Sequence, residues 1–276
     1  MNIDELITKY REKGYSLVDA RSTVCHDIIL SKIFKSKFKE HITIKGGVVM
    51  HNISKSMRRA TQDLDMDFIK YSLSDKAIRD FINTLDKVDD GINIEIDGQI
   101  EELKHQDYSG KRVFIRICDT FGNTLENKLD LGVHKQFDIE QDEYCFNLDY
   151  IEDSISLLIN SKEQIFTEKI KSLLKLGFRS GRYKDLFDFY YLITNTNLNK
   201  KKLLNCFHIL IYQDDTMKEN SINDIYSRLQ SIFSSRVYRS NLNNPKSNWL
   251  DIEVDEAINS VLKYIDELSS EIITVL

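Results

Sequence analysis

The sequence is poor in features that would place it in a special class. It has one proline, Pro245, in 276 residues, and no internal repeat or low-complexity tract, which leaves out repeat and biased-composition architectures. Its four cysteines, Cys25, Cys118, Cys145 and Cys206, stand far apart. No C-x-x-C pair and no Cys/His group with zinc-ligand spacing occurs, so neither a zinc site nor a dithiol motif is expected, and the thiols read as reduced. No run approaches the ~20 apolar residues of a membrane span. The opening "MNIDELITKYREKGYS" is polar and helical, without the apolar core of a signal peptide. A cytoplasmic protein without a membrane partner is expected. There is no basic excess either: 38 Lys and Arg against 44 Asp and Glu give a net charge of −6, so this is no generally basic nucleic-acid binder, although a local basic patch is compatible with it.

What is present is an ordinary globular balance, 41% hydrophobic and 30% charged, over a length that suits one large or two modest domains. The first half alternates helical and strand patterns. Residues 4–12, 17–36, 47–56 and 74–87 read as helices, the last begun by Ser74. "HITIK", "LDMDFI", "INIEIDGQI", "RVFIRIC", "NTLENKLDLGV" and "EYCFNL" read as strands, with period-2 stretches. From about residue 153 the pattern becomes helical. "SKEQIFTEKIKSLLKLG" ends at Gly177, "SGRYKDLFDFYYLIT" has Ser180 as its expected cap, and residues 199–212, 218–235 and 251–274 follow. "NLNNPKSNW" is the clearest loop. The expectation is an α+β domain over 1–152 followed by a helical domain over 153–276.

One stretch carries chemistry: "IKGGVVMHNISKSMRRATQDLDMDFI", residues 44–69. Alternate residues of a strand share a face, so Asp63, Asp65 and Asp67 would point together while Leu64, Met66 and Phe68 face a core. Like charges so placed repel unless a divalent cation lies between them, and Mg²⁺ takes such carboxylates together with substrate phosphates. A strand with its acids in water is the plainer alternative. Gly46 and Gly47 follow a strand and open a helix. Glycines let backbone approach a ligand, and a helix N-terminus offers N–H groups to an anion, although such a pair alone is more often a tight turn. Together the two features describe a nucleoside-triphosphate site.

The order strand, Gly-Gly, helix, D-x-D resembles the polymerase-β-like nucleotidyltransferases. The fuller pattern is similar to the AbiEii/AbiGii toxin nucleotidyltransferases, which include MenT-type toxins. It is carried by Gly46, Gly47, Met50, Arg59, Thr61, Asp63, Leu64 and Asp65. The usual "GGTAL" is "GGVVM" here, so Val48 stands where relatives have a small hydroxyl residue. A second block, Glu168, Lys169, Arg182, Lys184, Asp185, Leu186, Phe187 and Asp188, matches the family's helical half.

The resemblance implies a polymerase-β-like core with a mixed sheet, and a helical domain that completes the nucleotide site. It implies Mg²⁺, or Mn²⁺, on Asp63 and Asp65. A third acid is expected from a later strand, Asp130 in "NKLDLGV", with Glu95 in "NIEID" as competitor. That acid would bind metal or take the proton of the attacking hydroxyl. Gly46, Gly47, Arg59, Thr61 and Arg182 would bind the nucleotide. Lys169 would stabilise triphosphate charge, and Asp185 would orient Lys169 or contact the nucleotide. From spacing alone this second block reads first as a salt-bridged helix pair, and Asp188 as structural. The implied activity moves a nucleoside monophosphate from an NTP to an acceptor hydroxyl, releasing pyrophosphate. It would act as a toxin with a cognate antitoxin. The 3′ end of tRNA, or another RNA, is the acceptor expected, with Lys and Arg clustered at 32–39, 55–59, 169–184 and 200–202. A small-molecule nucleotidyltransferase of the antibiotic-modifying kind, or a non-catalytic NTP-binding protein, are the alternatives.

Overall fold

The computed structural model describes residues 2–103, 110–149, 151 and 153–272. The chain divides into two compact units, Met1–Asn160 and Ser161–Leu276.

The first unit begins with α1 (Ile3–Glu12) and α2 (Leu17–Phe34), capped by the side chains of Asn2 and Ser16. Then come β1 (Ile42–Lys45), α3 (Gly46–Ser54), a 3-10 turn (Met57–Arg59), β2 (Leu64–Ile69) and α4 (Asp75–Asp86). Six strands follow: β3 (Ile92–Ile96), β4 (Glu101–Leu103), β5 (Gly110–Asp119), β6 (Thr124–His134), β7 (Asp142–Phe146) and β8 (Ile155–Ile159). They form one mixed sheet in the order β3-β5-β6-β2-β1-β8-β7, with β4 added beside β5. The β1–β8 and β2–β6 pairs are parallel and the others antiparallel. The alternation in β2 works as expected on the core side. Leu64, Met66 and Phe68 are at most 1% exposed, and Phe68 packs edge-on to Phe81 with ring centroids 5.3 Å apart. Ser74 caps α4 through the Ala77 N–H. Asp119, at the end of β5, accepts the Ile3 N–H at 2.9 Å and so ties the start of α1 to the sheet.

The second unit is helical: α5 (Lys162–Leu176), a 3-10 turn (Gly177–Arg179), α6 (Lys184–Asn195), α7 (Lys200–Phe207), a π turn (His208–Tyr212), α8 (Ile222–Ser234), the short α9 (Arg236–Arg239) and α10 (Val254–Ile272). Gly177 ends α5 at φ +59°. Residues 273–274 of the last expected helix lie outside the described residues.

Two local expectations change. "ISLLI", residues 155–159, is strand β8, held between β1 and β7, so it belongs to the first unit and not to the helical half. Four of its five residues are apolar, and such short runs do not announce a strand by periodicity. Ser180 is not the cap of α6. The helix starts at Lys184, and the Ser180 hydroxyl instead accepts the Arg182 N–H at 3.2 Å in the turn before it. Arg182 therefore precedes the helix that carries Asp185 and Asp188.

Candidate active site

Strand register sets the site of the first unit. Antiparallel pairing puts Lys45 of β1 opposite Asp65 of β2, parallel pairing puts Asp65 opposite Asp130 of β6, and antiparallel pairing puts Asp130 opposite Arg112 of β5. One rung across four strands thus reads Lys45, Asp65, Asp130, Arg112. Glu95 lies on β3, separated from β2 by β5 and β6, and pairs with Arg116 at 3.3 Å. Of the two candidate third acids, Asp130 is the one beside Asp65.

The chain leaves this rung at Lys45 and turns into α3. Gly46 has φ +67°, and a Cβ there would sit 2.4 Å from Asp65 Oδ2. A Cβ on Gly47 would sit 2.7 Å from Thr61 Oγ1. Neither position has room for a side chain, so both glycines are required for the N-terminus of α3 to lie against Asp65 and Thr61. No side chain caps that terminus, and the N–H groups of its first turn have no intrahelical partner. Val48 is 1% exposed and belongs to the core, so the hydroxyl it lacks is not replaced by any surface group at that position. Arg59 is buried in the 3-10 turn and is not a solvated loop arginine.

The acids are held unequally. Asp130 is buried and forked by Arg112, with Nε donating to Oδ1 and Nη2 to Oδ2, both at 2.7 Å. Asp63 pairs with Lys128 at 2.9 Å, and buried Asp67 with Lys45 at 2.7 Å. Asp65 makes no hydrogen bond or ion pair among the described residues. Burial pushes its carboxyl up to about 6. Lys45 opposes that, and the neighbouring Asp130, Asp63 and Asp67 add to it. Among the described residues no three His, Cys, Asp or Glu side chains converge on a cation position. The donor set is nonetheless all carboxylate oxygen, which suits Mg²⁺ or Mn²⁺, and the missing Cβ of Gly46 lets the Asp65 carboxylate lie against the turn that opens α3. Asp65 is open to such an ion as it stands, and Asp63 and Asp130 would join it on release from Lys128 and Arg112.

In the second unit, Lys169 of α5 is buried and reaches Asp185 Oδ1 at 2.6 Å and Asp188 Oδ2 at 2.9 Å. Arg182 Nε donates to Asp185 Oδ2 at 2.6 Å, and Trp249 Nε1 donates to Asp188 Oδ1 at 3.0 Å. The structure brings Lys169, Arg182 and Asp185 together as expected from their spacing. It also makes Asp188 an internal anchor. Phe187 and Phe189 of the aromatic stretch are core. The basic run at 32–39 is partly internal, since Lys32 is fully buried on Asp90 at 2.7 Å.

A family model described as "Nucleotidyl transferase AbiEii toxin, Type IV TA system" matches residues 28–257. The chain belongs to this family. It is accordingly a nucleotidyltransferase with a nucleotide as substrate, of a type IV toxin–antitoxin system with a cognate antitoxin. No curated protein matches it. Among solved structures it is similar to an antigenic nucleotidyltransferase-like protein from Paracoccidioides brasiliensis, at 14% identity and a TM-score of 0.37, covering 85% of this chain and 92% of that one. No described helix of this AbiEii-family chain is long and apolar enough to cross a membrane.

The residues that sequence reasoning missed in this AbiEii-family chain are the bases on the acids: Lys45, Arg112 and Lys128. A signal for one of them was present. If the "DTFGNT" turn pairs Cys118 with Thr124, counting six residues back along each strand brings Arg112 to Asp130.

Proposed function

We propose that the chain transfers a nucleoside monophosphate from an NTP to the hydroxyl of an RNA, the 3′ end of tRNA first, and that it does so with Mg²⁺ or Mn²⁺ held by Asp63 and Asp65. The observation that carries this reading is the contact of Gly46 with Asp65. An uncapped helix N-terminus, which favours phosphate, lies directly against a carboxylate that has no hydrogen bond or ion pair among the described residues. Bound there, the cation would neutralise charge on the phosphates.

The chain's own residues have three tasks. The first-turn N–H groups of α3 hold phosphate oxygens, with backbone alone serving where Val48 offers no hydroxyl. Thr61, packed on Gly47, and Arg59 border that turn as further contacts. Asp130, across the β2–β6 pairing from Asp65, receives the proton of the attacking hydroxyl. The acceptor oxygen bonds to the α-phosphorus, the bond from that phosphorus to the bridging oxygen breaks, and pyrophosphate leaves with the electron pair. Lys169, Arg182 and Asp185 are assigned to the nucleotide by their motif. The ammonium of Lys169 keeps one N–H beyond the two its aspartates take.

Incubating the protein with each α-labelled NTP, total tRNA and Mg²⁺ tests the reading. Label on tRNA supports it. Label on small molecules alone would move the acceptor to the antibiotic-modifying kind, and turnover of no NTP would refute it.

A further inference from the structure

The third acid is not open in this structure. Both oxygens of Asp130 are taken by one guanidinium, the arrangement in which an arginine binds a carboxylate most strongly. The carboxylate is the inner member, with its side chain 4% exposed, and Arg112 is the outer one at 27%. Lys128, from the same β5–β6 hairpin, pairs with Asp63, two residues before Asp65. The hairpin therefore supplies two positive groups to the acids flanking Asp65. They stand where a divalent cation would otherwise draw those acids together.

We propose that Arg112 is a positioning residue that stands in for the cation on Asp130, and that it exchanges partners when a nucleotide and its cation arrive. This rests on the proposed cation site at Asp63 and Asp65 and goes beyond it in taking Asp130 as a further ligand there. A divalent ion and Arg112 compete for the same two oxygens, so the nucleotide-free protein binds the ion weakly. The displaced guanidinium keeps its planar fork of donors, which fits a phosphate as well as it fits a carboxylate. Triphosphate thus gives Arg112 a second partner at the moment the first is withdrawn. The exchange couples cation binding to nucleotide binding.

The test is Mn²⁺ binding to the nucleotide-free protein, followed by electron paramagnetic resonance. Arg112→Gln should bind Mn²⁺ roughly tenfold more tightly than wild type, the scale of removing one competing charge near a surface. Lys111→Gln makes the same charge change one residue away on the other face of β5, where Lys111 pairs with Asp75 and Glu102. It should leave the affinity within about twofold, since distant exposed charges are screened. The double variant Arg112→Gln with Asp130→Asn should lose the gain. In wild type, adding a non-hydrolysable NTP should raise Mn²⁺ affinity, and the rise should be smaller in Arg112→Gln. Arg112→Lys keeps a cation without the fork and should fall between wild type and Arg112→Gln. It decides the matter if burial of an uncompensated Asp130 keeps Arg112→Gln from folding. An unchanged Mn²⁺ affinity in Arg112→Gln, or in Arg112→Lys where only that folds, overturns the proposal, as does an equal gain in Lys111→Gln. If transfer needs no added cation while Arg112→Gln still binds Mn²⁺ more tightly, the proposed function fails and the exchange stands. If transfer needs the cation and no variant gains affinity, the exchange alone fails.

Discussion

Each unit carries a knot of aspartates and bases, and the two are closed to different degrees. In the second unit every carboxylate oxygen of Asp185 and Asp188 has a donor: Lys169 and Arg182 on one, Lys169 and Trp249 on the other. Two acids face two bases. In the first unit, Lys128, Lys45 and Arg112 pair with Asp63, Asp67 and Asp130, while Asp65 has no hydrogen bond or ion pair among the described residues and feels Lys45 only at a distance. The same residue types therefore make a closed internal brace in one place and leave one buried carboxylate without a direct partner in the other. A buried acid without a direct partner costs free energy that a ligand or a proton can offset.

The largest expected effect breaks the comparison at Asp65. If Asp63 and Asp65 hold the proposed cation, Asp65→Asn or Asp63→Asn should lower transfer by roughly 10³-fold, because a ligand charge is gone while the shape stays. Asp65→Asn should not unfold the protein. The folded carboxyl titrates near 6 against an ordinary 3.8, so the native state binds the proton more tightly than the unfolded chain does. Its contribution is therefore present at low pH and lost as pH rises through about 6. Asp65→Asn should match wild type in thermal melts at pH 4 and exceed it at pH 8. A variant less stable at pH 8 would show Asp65 to be braced as Asp185 is.

At Lys169 the opposite outcome is expected. Lys169→Met leaves two buried aspartates without their shared base and should cost about 3–5 kcal/mol in urea unfolding. Lys169→Arg keeps the charge and should cost much less. If Lys169 also donates to the triphosphate, transfer by Lys169→Arg should still fall by roughly 10²–10³-fold. Unchanged transfer would leave Lys169 as a brace only.

Glycines sharpen the contrast further. Gly46→Ala demands a side chain at φ +67° and 2.4 Å from Asp65 Oδ2, and should cost about 1–3 kcal/mol and displace that carboxylate. Gly181→Ala, where an added Cβ meets nothing within 4 Å, should be neutral or stabilising by up to ~1 kcal/mol. Trp249→Phe probes the second-unit brace. It takes one donor from Asp188 and should destabilise by about 1–2 kcal/mol, read by denaturant melts followed by circular dichroism.

Much of the site was legible because its parts are consecutive. A strand, two glycines and a helix occupy residues 42–54, and alternating aspartates announce their shared face through the period of the strand. The pairing of Lys169 with Asp185 could be anticipated only as one of two readings, since helix spacing does not distinguish a salt-bridged brace from a phosphate donor. Ser180 misled because a serine three residues before apolar helical spacing looks like a cap, whereas the chain forms a turn there and starts α6 at Lys184. β8 was missed because a mostly apolar run of five residues has no period to read.

Local sequence thus determined where backbone can approach a phosphate and which acids alternate on β2. These properties depend on the lack of a side chain at Gly46 and Gly47 and on the two-residue repeat of a strand. Which base sits on which acid was decided only by tertiary structure. Arg112, Lys128 and Lys45 reach Asp130, Asp63 and Asp67 through strand pairing and side-chain reach between segments far apart in the chain. A charge is neutralised by whatever lies within a few ångströms of it in space, so that Asp65 has no ion pair among the described residues could be found only after the sheet had assembled.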